Sequence, residues 1–252
     1  MKTVSIINLK GGVAKTISAI NIAYLLNSVH GARVLLVDND KQGSTSKFFG
    51  LYDYDHPGIA EIMTERGTDA AAVAQQTKYS GLDLITANMN LLRANKEVLL
   101  DVSRPQQTRL RKALKAVSGT YDFCVIDNAP DINMSTINAL VASDDVLVPI
   151  KIDKFAFDGL DVLKEQIEDL RDFNNALKIT GCFVTMYYRS NVDTQGIQWL
   201  WEQKQYPMLK TMIRRTARVD ETTFAGLPLA EYAKNSTATR DYIALVAEYL
   251  DR

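Results

Sequence analysis

The chain has 252 residues and 46% of them are hydrophobic, which is enough to bury a large core and excludes a disordered or fibrous protein. Basic and acidic residues nearly balance, 29 against 30, so the formal net charge of −1 attracts neither nucleic acid nor anionic lipid to the molecule as a whole. Any such binding must therefore come from a local patch of charge.

Apolar runs and helix-period segments alternate along the chain. In chain order they predict a strand at 3–8, a helix at 16–28, strands at 33–37 and 82–86, helices at 89–101 and 106–117, a strand at 123–126, a helix at 135–142, a strand at 145–150, a helix at 157–173, a strand at 179–186, a helix at 194–203, a weaker strand at 208–213 and a helix at 237–250. Residues 51–81 are the least regular part and are predicted to leave the sheet. The alternation predicts an α/β fold with a doubly wound, mostly parallel sheet and helices on both faces, in a single domain spanning 1–252.

The two cysteines and the absence of long apolar windows bear on the compartment. Cys124 and Cys182 lie inside predicted strands, which indicates buried thiols rather than a disulfide or metal framework and is typical of a reducing environment. No signal peptide and no window of about 20 apolar residues is present. We therefore expect a soluble cytoplasmic protein.

A glycine-rich turn follows the first predicted strand and opens the first predicted helix. Residues 8–16 read Asn-Leu-Lys-Gly-Gly-Val-Ala-Lys-Thr, and in this context the backbone N–H groups and the helix N-terminus bind phosphate. Gly11 and Gly12 let the backbone approach phosphates closely, Lys15 supplies a positive charge, and the Thr16 hydroxyl is placed to ligate Mg²⁺. We call residues 8–16 the phosphate loop.

The phosphate loop departs from the ordinary pattern G-x-x-x-x-G-K-[ST], because Leu9 and Ala14 occupy its two glycine positions. Residues 10–16, Lys-Gly-Gly-Val-Ala-Lys-Thr, instead resemble the deviant Walker A motif K-G-G-x-G-K-T of the ParA/MinD family of P-loop ATPases. That family carries a signature lysine at the position of Lys10.

Further segments resemble the same family in the same order. Asp-Asn-Asp-Lys-Gln-Gly-Ser-Thr at 38–45 resembles D-x-D-P-Q-G-N-x-T, and Val-Ile-Asp-Asn-Ala-Pro at 125–130 resembles hydrophobic-D-x-P-P. Residues 146–150 and 155–159 are similar to the V-L-V-P and Y-x-A-L-E-G stretch, and 185–187 to the strand end L-T-M-Y. The matches cover most of the chain and are most like the small, Soj-type ParA proteins. We call 38–45 and 127–131 the first and second switch segments.

The resemblance implies that the cofactors are ATP and Mg²⁺ and that the chain hydrolyses ATP slowly, with stimulation by a partner. It implies that Lys10 crosses a dimer interface to the other protomer's phosphates, as a cation supplied in trans. Asp40 would position the attacking water and Asp38 would orient the metal-side network. Asp127 matches the Walker B acid and would hold Mg²⁺ together with Thr16, through a water. Each aspartate alone could equally be an ordinary turn residue at a strand end.

The nucleotide contacts implied by the resemblance extend through the phosphate loop and to a distant strand end: Lys10, Gly11, Gly12, Val13, Ala14, Lys15, Thr16, Ile17 and Met186. For Met186, which the family would place near adenine, a methionine packed in the core is an equally good interpretation.

Four departures from the family pattern matter. Ala14 replaces a glycine, which is harmless at negative φ and costly at positive φ. Lys41 replaces a proline in the first switch segment, which frees φ and adds a charge near the γ-phosphate. Asn-Ala at 128–129 replaces Thr/Cys-Pro, which predicts a more flexible second switch segment, and Arg214 replaces a proline.

A local excess of positive charge lies between residues 178 and 218. The segment contains two acidic residues, Asp193 and Glu202, and seven basic ones: Lys178, Arg189, Lys204, Lys210, Arg214, Arg215 and Arg218. Residues 212–221 resemble the family segment I-I-P-R-N-V-R-L-S-E-A, which implies nonspecific binding of double-stranded DNA by Arg189, Arg215 and Arg218, with Arg214 as a neighbour. The alternative is a solvated basic face.

Two other groups of side chains are predicted to have no binding role. The basic residues of a second cluster have the spacing of a solvated helix face: Arg104, Arg109, Arg111, Lys112 and Lys115. Trp199 and Trp201 could line a partner surface, although aromatic residues on a short amphipathic segment are more often core.

The leading functional hypothesis is a ParA-like ATPase for plasmid or chromosome segregation. Mg-ATP would drive homodimerisation, the dimer would bind nucleoid DNA without sequence preference, and a ParB-like centromere-binding protein would stimulate hydrolysis. Because the chain starts at its first strand, we expect no N-terminal helix-turn-helix domain. The alternatives are positioning of a protein cargo and a membrane-associated MinD-like regulator, and the acidic C-terminal segment disfavours the second. An iron–sulfur enzyme is disfavoured because both cysteines lie inside strands.

Overall fold

The computed structural model describes residues 1–153 and 158–252, and a seven-stranded sheet runs through the centre of this part of the chain. The strands are β1 Lys2–Ile6, β2 Val34–Asn39, β3 Gln75–Gln76, β4 Leu82–Ile85, β5 Phe123–Asn128, β6 Asp145–Lys151 and β7 Lys178–Thr185. Their spatial order is β3-β4-β2-β5-β1-β6-β7. All pairs are parallel except β3–β4, so six carboxyl strand ends share one edge of the sheet.

Helices connect the strands and cover the sheet. They are α1 Lys15–Ser28, α2 Ser44–Phe48, α3 Ile59–Thr64, α4 Ala70–Val73, α5 Asn90–Leu100, α6 Arg109–Lys115, α7 Met134–Ala142, α8 Asp158–Asp169, α9 Asn191–Glu202, α10 Ala217–Ala225, α11 Leu229–Tyr232 and α12 Thr237–Leu250. A short 3-10 turn, Leu170–Asp172, follows α8.

Both faces of the sheet are buried, which explains the continuous apolar runs in the sequence. Along β2, Val34 and Leu36 join the cluster that contains α1 and α12, whereas Leu35 and Val37 join the cluster that contains α3, α5 and α6. Alternate side chains of a strand point to opposite faces, so each face needs its own layer of helices. The predicted doubly wound sheet with two helical layers is confirmed.

The weaker strand predicted at 208–213 is wrong. This segment forms no ladder with the edge strand β7: an isolated bridge joins Cys182 to Met208, another joins Tyr187, beyond the strand, to Arg214, and the N–H of Ile213 donates to the carbonyl of Val184 at 2.8 Å. Between them the N–H groups of Lys210 and Thr211 donate to the carboxylate of Glu248, at 2.7 and 2.9 Å. A glutamate of α12 thus takes the two donors that a strand would have used in the sheet.

The sequence pattern missed several short elements. The 51–81 segment leaves the sheet as predicted but forms α3 and α4 and returns as the antiparallel edge strand β3. The helices α2, α10 and α11 were also missed, because a helix of four to nine residues shows too little periodicity. The family-like stretch 155–159 and the predicted helix start at 157 fall partly outside the described residues.

The interpretation of the two tryptophans as core residues is wrong. Trp199 and Trp201 are 36% and 48% exposed, whereas Leu200 between them is fully buried. α9 lies close to Ile152 at Gly196, where a β-carbon would come within 2.4 Å of the Ile152 side chain. Leu200, one turn later on that face, points inward, and the tryptophans therefore flank the buried stripe.

The second basic cluster is only partly a solvated face. The Arg109 side chain is 4% exposed and donates to the carboxylate of Asp101 at 2.8 Å and to the carbonyl of Met63 at 2.7 Å. Arg104 also pairs with Asp101 and donates to carbonyl oxygens at the end of α3. These two arginines fasten α3 to the start of α6, so their prediction as solvated residues is wrong.

Cys124 and Cys182 are free and fully buried, as predicted. Burial raises the pKa of both thiols. Within the described ranges, no helix has the length and apolarity needed to span a bilayer.

Candidate nucleotide-binding site

The phosphate loop joins β1 to α1 at the carboxyl edge of the sheet. Gly12 and Ala14 both have left-handed backbone, with φ of 69° and 65°, and Ala14 immediately precedes α1 without a side-chain cap. A β-carbon built on Gly11 or Gly12 meets nothing within 4 Å. The loop is therefore open on its outer side, and the uncapped N–H groups of α1 are available to an anion.

The positive φ makes alanine the strained choice at position 14. The left-handed region raises the conformational energy of a non-glycine residue by roughly 1–2 kcal/mol. Part of the stability that glycine would gain there is lost, because glycine is more flexible in the unfolded chain. We expect Ala14→Gly to raise the free energy of unfolding by about 0.5–1 kcal/mol, measured by urea denaturation. In the exposed, helical position 247 the same change removes a good helix former, so Ala247→Gly should lower stability by about 1 kcal/mol. Destabilisation by Ala14→Gly would contradict the argument.

The two loop lysines occupy different places. Lys15 is buried, and its ammonium donates to the carbonyl of Lys10 at 2.8 Å. Burial lowers the pKa of Lys15, and the nearby carboxylates of Asp127, Asp40 and Asp131 oppose that shift. The ammonium of Lys10 forms an ion pair with Asp153, in the loop after β6. Lys15 thus faces the acidic end of the site, whereas Lys10 is held at its side.

Asp127, the penultimate residue of β5, is a buried carboxylate with one unpartnered oxygen. Thr45 donates to its Oδ2 at 2.8 Å, and the nearby Thr16 hydroxyl favours the charged form of the carboxylate and so lowers its pKa. Its Oδ1 is buried and has no hydrogen-bond partner among the described residues. Burial raises the pKa of Asp127 to about 6. An orphaned carboxylate oxygen beside threonine hydroxyls is the hard oxygen donor set that Mg²⁺ prefers, so these residues fit a magnesium ion.

Asp38 and Asp40 differ in their surroundings. Asp38 is fully buried, and its Oδ2 accepts from the N–H and the hydroxyl of Ser46 at 2.8 and 2.7 Å. Burial raises the pKa of Asp38 to about 8. Asp40 is half-buried, and its carboxylate accepts from the N–H of Gln42 at 3.0 Å. Asp38 therefore anchors the start of α2, whereas Asp40 is the carboxylate of this segment that lies nearer solvent.

A cavity of about 180 Å³ adjoins the phosphate loop at Ala14. Ile17 and Met186 contribute apolar walls, and Tyr242 lies at its base. Met186 has left-handed backbone at the end of β7, with φ of 55°, a type of strain that clusters at binding sites. The structure thus brings the predicted nucleotide contacts Ile17 and Met186 together beside the loop.

Of the four predicted DNA arginines, Arg214 and Arg215 line that cavity. Arg214 is held by Asp241 of α12, with Nη2 2.6 Å from Oδ1 and Nε 2.9 Å from Oδ2. Arg215 is exposed and lines the cavity, and Arg189 is exposed in the turn after β7. Arg218 is exposed and pairs with Glu221 at 2.7 Å. Three of the four are therefore at the surface, and Arg214 is engaged within the protein.

Sequence reasoning missed two threonines that build the site. Thr45 holds Asp127, and the hydroxyl of Thr185 donates to the carbonyl of Val13 in the phosphate loop at 3.1 Å. Both lie in segments that resemble the family, at 38–45 and 185–187, so the motifs that contained them were the available signal.

Comparisons with known proteins agree with this geometry. A family model described as an AAA domain matches residues 1–179. The sporulation initiation inhibitor protein Soj of Bacillus subtilis is 34% identical over 98% of this chain and 97% of its own length. The chromosome partitioning protein ParA of Caulobacter vibrioides is 34% identical over 100% of this chain and 95% of its own.

A solved structure shows the same architecture with ligands. Cobyrinic acid a,c-diamide synthase from Mycobacterium smegmatis, with bound ADP and magnesium, superposes with a TM-score of 0.84. It is 27% identical, and the match covers 98% of this chain and 92% of the other. Its nucleotide and metal are the two kinds of group for which the phosphate loop and Asp127 are suited.

Proposed function

Because this chain belongs to the ParA/MinD family of P-loop ATPases, we propose that it is a partition ATPase that segregates plasmid or chromosomal DNA. The observation that carries the proposal is the grouping of Lys15, Thr16 and Asp127 at one edge of the sheet, where Oδ1 of Asp127 is buried without a hydrogen-bond partner among the described residues. Residues 1–252 would act as one ATPase domain.

Each part of the site has a task in ATP hydrolysis. The N–H groups of residues 11–16 and the Lys15 ammonium bind the phosphates, and Ile17 and Met186 bind the base. Thr16 and Asp127 would hold Mg²⁺, with Asp127 acting through a water, and the ion when bound neutralises phosphate charge. Asp40 orients the attacking water, while Asp38 keeps the first switch segment anchored through Ser46.

The proposed switch is a homodimer that forms on ATP. Lys10 would leave Asp153 and place its ammonium on the phosphates of the other protomer, where charge develops during phosphoryl transfer. Hydrolysis separates the dimer, and a ParB-like centromere-binding partner accelerates it. The sequence specificity of segregation would then come from the partner.

The dimer would bind double-stranded DNA through Arg189, Arg215 and Arg218 and would localise with the nucleoid. All three residues are exposed, and Arg215 lines the nucleotide cavity, so ATP-dependent assembly can bring two copies of the surface together. Contacts of this kind neutralise phosphates and carry no base preference.

The position of α12 supports DNA rather than membrane as the matrix. Its apolar side chains Tyr242, Leu245, Val246 and Tyr249 are buried in the cluster that contains α1. A membrane-binding helix needs that face free.

The DNA surface predicts a defined salt dependence. With ATP and Mg²⁺ present, Arg215→Ala and Arg218→Ala should each reduce the slope of log Kobs against log salt by about 1 for each DNA phosphate that the variant no longer neutralises. Binding to a random-sequence duplex is measured by fluorescence anisotropy between low and moderate salt. Arg33→Ala is the matched control, because Arg33 is exposed, pairs with Asp122 and precedes β2 at the opposite edge of the sheet.

Two results would count against this surface. One is an unchanged slope in both variants; the other is an equal reduction of the slope in Arg33→Ala. Binding that does not depend on ATP would contradict the switch itself.

A further inference from the structure

The two switch segments are joined by polar contacts in this chain. β2 and β5 are parallel neighbours with Asn39 opposite Asn128, and the amide of Asn39 donates to the amide oxygen of Asn128 at 2.8 Å. Farther out, the Lys41 ammonium lies 3.7 Å from Oδ2 of Asp131. The segments therefore leave the sheet side by side and are connected at two successive points.

The ion pair stands where the family pattern has a proline, and the amide pair lies one residue before a second replaced proline. Lys41 takes the position of one proline, and Asn-Ala at 128–129 takes the position of a Thr/Cys-Pro pair. A proline restricts φ but has no ammonium to offer an anion. At position 41 this chain therefore has a lysine that forms an ion pair in place of a residue that restricts φ, which adds a cation to the first switch segment.

The cation lies close to the phosphate end of the site. Asp131 interacts electrostatically with Lys15 of the phosphate loop and pairs with Lys41 on its other side. The side chains of Lys41 and Asp131 are 30% and 49% exposed, so the ion pair is weak enough to exchange. A γ-phosphate bound beside Lys15 carries more negative charge than Asp131 and would compete for the Lys41 ammonium.

We propose that Lys41 is a specificity-determining residue that distinguishes ATP from ADP. Without a γ-phosphate its ammonium remains on Asp131; with one it moves from Asp131 to the terminal phosphate. The lysine belongs to the first switch segment and its carboxylate partner to the second. This exchange of partners therefore changes the interactions of both segments when a γ-phosphate is bound. The inference rests on the proposed function, since it requires ATP to bind at the phosphate loop.

The test is the affinity for Mg-ATP and Mg-ADP, measured by isothermal titration calorimetry on the full chain. Lys41→Gln should weaken ATP binding about fivefold, which is the effect of losing one exposed charge-assisted contact. It should change ADP binding by less than about twofold. Asp131→Asn should keep or tighten ATP binding, because it releases the ammonium. Lys47→Gln is the matched control: Lys47 lies in the helix that follows, but its ammonium donates to the carbonyl of Gln42 at 2.7 Å.

The result that would overturn the inference is an equal change of ATP and ADP affinity in Lys41→Gln, or no change in either. Thermal melting of each variant within about 2 °C of the parent verifies that the fold is intact. If the parent chain binds no ATP, the proposed function fails; if it binds ATP and Lys41→Gln retains the full preference over ADP, only this inference fails.

Discussion

Replacing Lys10 by alanine is expected to abolish ATP-dependent dimers and to slow ATP hydrolysis by about 10³-fold, the lower range for a cation supplied in trans in phosphoryl transfer. In the free protomer the Lys10 ammonium is engaged by Asp153, so its removal should leave the affinity of the monomer for ATP nearly unchanged. Size-exclusion chromatography with light scattering and a phosphate-release assay measure the two effects.

Asp153→Asn separates the proposed role of Lys10 from a structural one. It removes the charge that holds Lys10 in the protomer but leaves the ammonium in place. If Lys10 acts across the dimer, Asp153→Asn should still dimerise on ATP. If the ion pair only stabilises the fold, both variants should lose stability and activity together, which would refute the role in trans.

Replacing Asp127 by asparagine should uncouple nucleotide binding from magnesium. The Asp127 Oδ1 is buried without a partner among the described residues, which is costly unless a cation or its water satisfies it. Asparagine keeps the shape but loses the charge. We expect the gain in ATP affinity that Mg²⁺ provides over EDTA to fall by at least about tenfold, as measured by nucleotide titrations in both conditions.

A buried carboxylate at the other edge of the sheet controls for this prediction. Asp145 begins β6, pairs with Lys2 and accepts from Tyr249 at 2.8 Å. Asp145→Asn should lower stability, because it breaks a buried network, yet leave the magnesium effect intact. A full magnesium effect in Asp127→Asn would remove Asp127 from the metal site.

The sequence by itself determined the layout of this protein. Apolar runs of strand length, separated by helix-period segments, predict the strands β1, β2, β4, β5, β6 and β7 along the chain, because strands buried on both faces must be apolar throughout. The motif residues Lys15, Asp40 and Asp127 follow or end those strands. Parallel strands bring their carboxyl ends to one edge, so the place of the nucleotide site follows from the strand order.

Only the tertiary structure decided how individual side chains are used. No local sequence signal predicts the positive φ of Ala14. None predicts the ion pairs of Lys10 with Asp153 and of Arg214 with Asp241, or the hydrogen bonds that Glu248 accepts from the backbone of the 208–213 segment. The partners Lys10 and Asp153 are 143 residues apart in the chain. Periodicity and motif spacing report interactions between near neighbours, whereas these contacts depend on which surfaces packing brings together, and packing is settled by the whole fold.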